Sequence, residues 1–126
     1  MAFFVGRIDR EMFKGVPVNI TTDEVIITDE QIQHIKDRHP NDFERYERYM
    51  REIVEEPDYI LEANRPASAV LLKEYIEVDK RFYLILRLQT QDDLSERKNS
   101  IITFLKTNKK EWRRFLKNKK VLYKRV

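Results

Sequence analysis

The chain's two histidines fall in one short stretch, His34-Ile35-Lys36-Asp37-Arg38-His39-Pro40. Imidazole titrates near neutrality and carries a proton in either direction, and a guanidinium offers a planar fork to two phosphate oxygens. That combination suits acid–base chemistry at a phosphodiester. The chain has no cysteine, which removes thiolate nucleophiles, Cys-based zinc sites, iron–sulfur clusters and a disulfide framework. Two histidines five positions apart without a well-placed third ligand do not make a zinc motif, and Asp29, Glu30 and Asp37 read as helix-end charge. With Gly6 and Gly15 as the only glycines, there is no glycine-rich phosphate loop. The reading assigns no metal and no cofactor.

A helix must place these residues. Thr28 has the signature of an N-cap, with Asp29 and Glu30 in the first turn and Gln31 three residues on. Pro40 predicts that the helix stops at about His39. On such a helix His34 and Arg38 share a face, whereas His39 follows Ile32 and Ile35 on the apolar stripe. At about 100° per residue the two imidazoles lie roughly 140° apart, so both reach one phosphate only if the helix end unwinds before Pro40. One proton-transfer histidine and one supporting histidine are therefore expected. The plain alternative is a hydrogen-bonded core histidine at position 39 and a solvated polar face at His34 and Arg38.

Around this helix the pattern alternates between strand and helix periods. Met1–Ile8 and Glu24–Ile27 are strand-like, with a break at Lys14-Gly15-Val16-Pro17. Asn41 or Asp42 can cap a second helix carrying Phe43, Tyr46, Met50, Ile53 and Val54 before Pro57. Strands are predicted at Asp58–Glu62, Ala69–Val78, Arg81–Gln89 and Ser100–Lys106, with a tight turn at Asp79-Lys80 and a polar loop over Thr90–Asn99. Asn108 can cap a last helix through Trp112, Phe115 and Leu116, and Val121–Tyr123 can add an edge strand. The expected fold is α+β, with the N-terminal helices packed on one face of a twisted antiparallel β-sheet and the other face open to a ligand. Ile32, Ile35, Tyr46, Met50 and Ile53 should meet Leu72, Phe82, Leu84, Leu86 and Phe104.

The 126 residues fit one domain, read as 1–126, with no repeat or linker. No apolar run approaches the roughly 18 residues needed to span a bilayer, so the chain reads as soluble and cytoplasmic, with no membrane partner. Its net charge of +3 conceals an asymmetry: from Lys106 onward ten Lys and Arg stand against the single Glu111, a net +9, and the rest carries −6. A basic terminus interleaved with Trp112, Phe115 and Tyr123 suits phosphate contact, although a lysine-rich helix is often only a solvated face.

Four short motifs in this order carry a family resemblance. They are Val25-Ile26-Ile27-Thr28 leading into His34–Pro40, then Glu56-Pro57-Asp58-Tyr59-Ile60, then Lys98-Asn99-Ser100-Ile101-Ile102-Thr103-Phe104, and finally Leu122-Tyr123-Lys124. Together they resemble the phage-associated nuclease-like domains grouped with barnase, EndoU, colicin-type tRNases and RelE. The resemblance implies a metal-independent ribonuclease fold of helices and a twisted antiparallel sheet, carried by phages and mobile elements. RNA is the implied partner, with tRNA and mRNA both open as targets, and a toxin or effector of this kind leaves room for an inhibitor or immunity protein. Oligomeric state stays open.

Carried over residue by residue, the resemblance marks His34, Arg38 and His39 on the helix, Asn99, Ser100 and Thr103 at the penultimate strand, and Tyr123 and Lys124 at the end. RNA cleavage without a metal needs a base for the 2′-hydroxyl, an acid for the leaving 5′-oxygen and donors for the phosphorane charge. His34, His39, Arg38 and Thr103 are the catalytic candidates. Alternation along the strands adds Arg87, set against Phe82, Leu84, Leu86 and Leu88, and Lys73, set with Tyr75 against Leu72 and Ile76. Arg87, Lys73, Asn99, Ser100, Tyr123 and Lys124 are the substrate-binding candidates. Two other classes stay open: a nucleic-acid- or protein-binding module that keeps the fold without catalysis, and a phage accessory protein.

Overall fold

The computed structural model describes residues 1–90 and 98–126. Strand β1, Ala2–Arg7, pairs antiparallel with β2, Glu24–Thr28, across a bulge between Phe4 and Gly6. Thr28 ends β2 and caps helix α1, Asp29–Arg38, its hydroxyl accepting from the Gln31 N–H at 3.2 Å. His39 leaves the helical conformation at φ −135°, ψ 75°, immediately before Pro40.

The second predicted helix is divided into α2, Asp42–Tyr46, and α3, Met50–Glu55, by a 3₁₀ turn at Glu47–Tyr49. Asn41 precedes α2 in the left-handed region, φ 72°, without a side-chain cap. Residues three apart nearly eclipse in a 3₁₀ turn. Tyr46 and Tyr49 accordingly both reach Phe82, with ring centroids 5.2 and 5.1 Å away.

Strands β3, Tyr59–Glu62, β4, Ser68–Tyr75, β5, Lys80–Arg87, and β6, Asn99–Thr107, form the predicted antiparallel meander. Helix α4, Lys109–Asn118, and strand β7, Val121–Lys124, follow. The turn predicted at Asp79-Lys80 is wider, because a 3₁₀ turn at Ile76–Val78 and a left-handed Asp79, φ 51°, join Tyr75 to its partner Lys80. Residues 91–97 of the loop predicted over Thr90–Asn99 lie outside the described residues. Among the described residues no helix is long and apolar enough to cross a membrane.

The seven strands lie in the order β1-β2-β6-β5-β4-β3-β7, and two expectations are corrected. The sheet is mixed, since β2 pairs with β6 in parallel through Val25↔Asn99 and Ile26↔Ser100. A hairpin dictates antiparallel pairing between neighbours in sequence, but β2 reaches β6 from far along the chain, where no turn sets its direction. The helices are neither strictly N-terminal nor confined to one face, since β1 precedes them and α4 packs opposite α2 and α3. On the inner face Ala69, Leu71, Leu84, Leu86, Ile101 and Phe104 join Tyr46, Met50, Ile53 and Ile35 in one core. Leu72, expected with them, lies on the other face with Leu61, Val70 and Trp112 of α4. Each fully buried Leu, Ile or Phe contributes about 1.5–3 kcal/mol by leaving water.

The short β2–β6 ladder is reinforced by side chains. The Asn99 amide, fully buried, accepts from the Gln89 N–H at 2.7 Å and donates to the Thr22 carbonyl at 2.8 Å. Beside it Lys98 Nζ donates to Glu24 Oε2 at 2.5 Å and holds the Glu24 carboxyl below the usual carboxylate range.

Asn99→Ala is expected to lower the unfolding free energy by about 1–3 kcal/mol in urea denaturation, since two buried backbone groups lose their partner. Lys98→Met should destabilise at neutral pH. The Glu24 carboxyl contributes only while ionised, so the difference between Lys98→Met and the parent should fade as pH falls through its depressed folded value, and shrink with added salt.

Candidate active site

Where β2 gives way to α1 at Thr28, α1 continues alongside β6. The register between β5 and β6 shifts here: Ile85 faces Thr103 but Leu86 faces Ile101, leaving Ile102 as the extra residue of a bulge. Ile101 and Phe104 stay in the inner core, while Ile102 and Thr103 both reach the opposite face. Strict alternation would have sent Thr103 inward with Ile101.

The result is a cavity of about 180 Å³ between α1 and the sheet, walled by His34, Arg38 and His39 and floored by Tyr83, Ile85, Ile102, Thr103 and Leu105. The non-helical backbone at His39 lets both imidazoles line it despite their helical spacing. His34 and Arg38 are exposed, and His39 and Thr103 half-buried. No carboxylate lines the cavity, because Asp37 accepts from Gln33 Nε2 at 2.8 Å along the helix surface. Two imidazoles, a guanidinium and a hydroxyl line this space, and Arg38 is the charged side chain among its lining residues. The Tyr83 phenol is pushed above its usual range by burial first and by Glu111 second, so it remains a protonated donor at neutral pH.

Arg87 and Ser100 are cross-strand partners further along the same face, outside this cavity. Arg87 is half-buried and donates to the Leu88 carbonyl, and Ser100 Oγ donates to the Lys98 carbonyl at 3.4 Å. Four further candidates lie away from this cavity. Asn99 is spent on the backbone bonds that join β2, β5 and β6. Lys73 faces Phe82 across β4 and β5, on the inner face, where it is 5% exposed. Its Nζ donates to the Glu56 carbonyl at 2.6 Å and lies 3.7 Å from Asp58. Tyr123 and Lys124 belong to β7, four strands from β6 or about 19 Å at ordinary strand spacing. Tyr123 packs against the inner core and Lys124 is exposed at that edge.

Sequence reasoning missed a neighbouring compartment. A cavity of about 460 Å³ adjoins the first, sharing Tyr83, Ile85 and Ile102 and continuing to Phe115, Lys119 and Arg65. Alternation along β5 sets Tyr83 on the same side as Arg87, against Phe82 and Leu84, and was the available signal for it. Nothing in the sequence placed Phe115 over it, at 5.0 Å between ring centroids. A different depression, about 470 Å³ between β1, α1 and α2, has Lys36 and Arg51 balanced by Asp29 and Glu47 and offers phosphate no net attraction. Among the described residues no three His, Asp or Glu side chains are grouped as a metal-ligand set.

Residues 6–124 match the family described as phage-Barnase-EndoU-ColicinE5/D-RelE like nuclease2. The comparisons with curated proteins and with solved structures give no match.

The two classes of residue separate by stability. Arg38→Ala and His34→Ala, both at exposed positions, are expected to stay within about 0.5 kcal/mol of the parent in urea unfolding. Lys73→Ala should cost about 1–3 kcal/mol, because it strips a buried carbonyl of its donor and Asp58 of a cation.

Proposed function

We propose, from the premise that the chain belongs to this phage-associated nuclease family, that the cavity between α1 and β6 cleaves RNA without a metal. One observation carries the reading: His34, Arg38 and His39 from one end of the chain line a single cavity with Thr103 from the other. One imidazole takes the 2′-hydroxyl proton as that oxygen attacks phosphorus. The second returns a proton to the 5′-oxygen as the P–O5′ bond breaks, leaving a 2′,3′-cyclic phosphate and a free 5′-hydroxyl. The Arg38 fork bonds the non-bridging oxygens, and the Thr103 and Tyr83 hydroxyls donate to charge that grows on them in the transition state. The reading places the protein with its RNA substrate, a tRNA or an mRNA, in the cytoplasm.

The +9 carried from Lys106 onward supports a second reading, an RNA-binding module without catalysis.

Incubation of the purified protein with total RNA and with tRNA in EDTA, at several pH values, tests both. Cleavage to 2′,3′-cyclic phosphate ends is expected, with His34→Ala and Arg38→Ala each reducing the rate about 100-fold or more. Intact RNA with saturable, salt-sensitive binding would overturn the nuclease reading in favour of the binding module. Unchanged cleavage by both His34→Ala and His39→Ala would remove histidine from the mechanism.

A further inference from the structure

The compartment beneath α4 joins the histidine cavity along a shared floor of Tyr83, Ile85 and Ile102. Its volume of about 460 Å³ lies within the roughly 300–1,000 Å³ range of small-molecule pockets. Phe115 and Tyr83 supply two half-buried rings, while Val70, Ile85 and Ile102 make the rest of the surface apolar. Arg65 and Lys119 stand at the same cavity, no carboxylate lines it, and Lys119 Nζ donates to Asn64 Oδ1 at 3.1 Å. An aromatic and apolar interior with cations and an amide beside it matches a nucleotide: the base on the rings, the phosphate with the cations.

The turn carrying Arg65 is held at a conformational cost. Ala67 adopts φ 55°, a left-handed conformation that a Cβ-bearing residue disfavours, and its carbonyl accepts from the Leu88 N–H at 2.7 Å. That bond anchors the turn to the end of β5, and Asn64 and Arg65 of the turn line the cavity together with Ser68 at the start of β4.

We propose, resting on the nuclease reading, that the compartment formed by Phe115, Tyr83, Arg65 and Lys119 is a base-binding subsite for the nucleotide next to the scissile phosphate. The subsite selects single-stranded RNA, because a base paired and stacked in an A-form duplex does not present its face to a ring.

The test uses the full chain and a fluorescein-labelled hexanucleotide that is 2′-O-methylated throughout, so that binding is read by anisotropy with no cleavage. The same sequence annealed to its complement is the duplex probe. The single strand is expected to bind about tenfold or more tightly than the duplex. Phe115→Leu, which keeps an apolar body without the ring, and the double variant Arg65→Ala/Lys119→Ala should each weaken single-strand binding about tenfold. Arg113→Ala/Lys117→Ala removes the same charge from α4 positions outside the cavity and should cost clearly less. Thermal melts establish that each variant is folded, and a folded variant that binds as the parent does overturns the subsite. Equal affinity for the duplex, or an equal loss from the Arg113/Lys117 pair, also overturns it. Cleavage of RNA with hexamer binding indifferent to Arg65, Lys119 and Phe115 sinks the subsite alone. The expected hexamer pattern in a protein that cuts no RNA keeps the compartment as a base-binding site and sinks the nuclease reading, and with it the subsite's place beside a scissile phosphate.

Discussion

The side-chain amide of Asn99 is the joint on which the arrangement turns. In one buried position it accepts from the backbone at the end of β5, belongs to the first residue of β6 and donates to the segment leading into β2. The β2–β6 ladder consists of two residue pairs, and the Thr21 N–H bond to the Gln89 carbonyl at 3.1 Å and the Ile20↔Thr90 bridge join the same segments beside it. With β2 pinned there, α1 follows from Thr28 without an intervening loop, and its His34 and Arg38 come to lie beside the β6 bulge. Asn99, which the resemblance marks for substrate, has both ends of its amide engaged by backbone in this joint.

Charge is arranged differently on the two faces. On the inner side the cations near β1 and α2 already have anions, Lys36 with Glu44 at 3.4 Å and Arg51 with Glu55 at 3.3 Å. Surface pairs of this kind add little stability, but they cancel the field that would attract a phosphate. On the opposite side the cations lining the two joined cavities face apolar walls and hydroxyls, with no carboxylate in either lining. The sheet keeps its largest apolar side chains inward and leaves Tyr83, Ile85, Ile102 and Thr103 as a floor between α1 and α4.

What could be read from sequence followed local rules. The Thr28 cap, the stop before Pro40 and the strands around Leu84 and Phe104 rest on interactions within a few residues, and the structure has them. Errors arose where a distant partner decides. Leu71 and Leu72 are both apolar, so alternation alone cannot say which faces the core; pairing of Lys73 with Phe82 turns Leu71 and Lys73 inward and Leu72 outward. The bulge at Ile102 leaves no trace in a run of apolar residues, yet it decides that Thr103 points into the cavity rather than the core. The direction of β2 against β6, and the return of α4 over the far face, depend on contacts between the two ends of the chain. The alternation that correctly made Arg87 an outward residue had no means of showing that its guanidinium is engaged by the neighbouring Leu88 carbonyl.

The β2–β6 pairing also bears on the route by which the cavity comes into existence. Ile85 and Thr103 are separated by 18 residues in sequence, whereas Val25 and Asn99 are separated by 74. Closing the longer loop is the more expensive step in chain entropy, and it is made against only two ladder pairs. A chain with its β4-β5-β6 hairpins paired therefore has the centre of the sheet but only the floor of the cavity. His34 and Arg38 join that floor when β2 docks, and β2 has no edge to dock on until Asn99 and Ser100 of β6 have been made. Asn99, Ser100 and Thr103 follow the histidines by about 60 residues, so synthesis must pass β6 before the two halves of the cavity can meet.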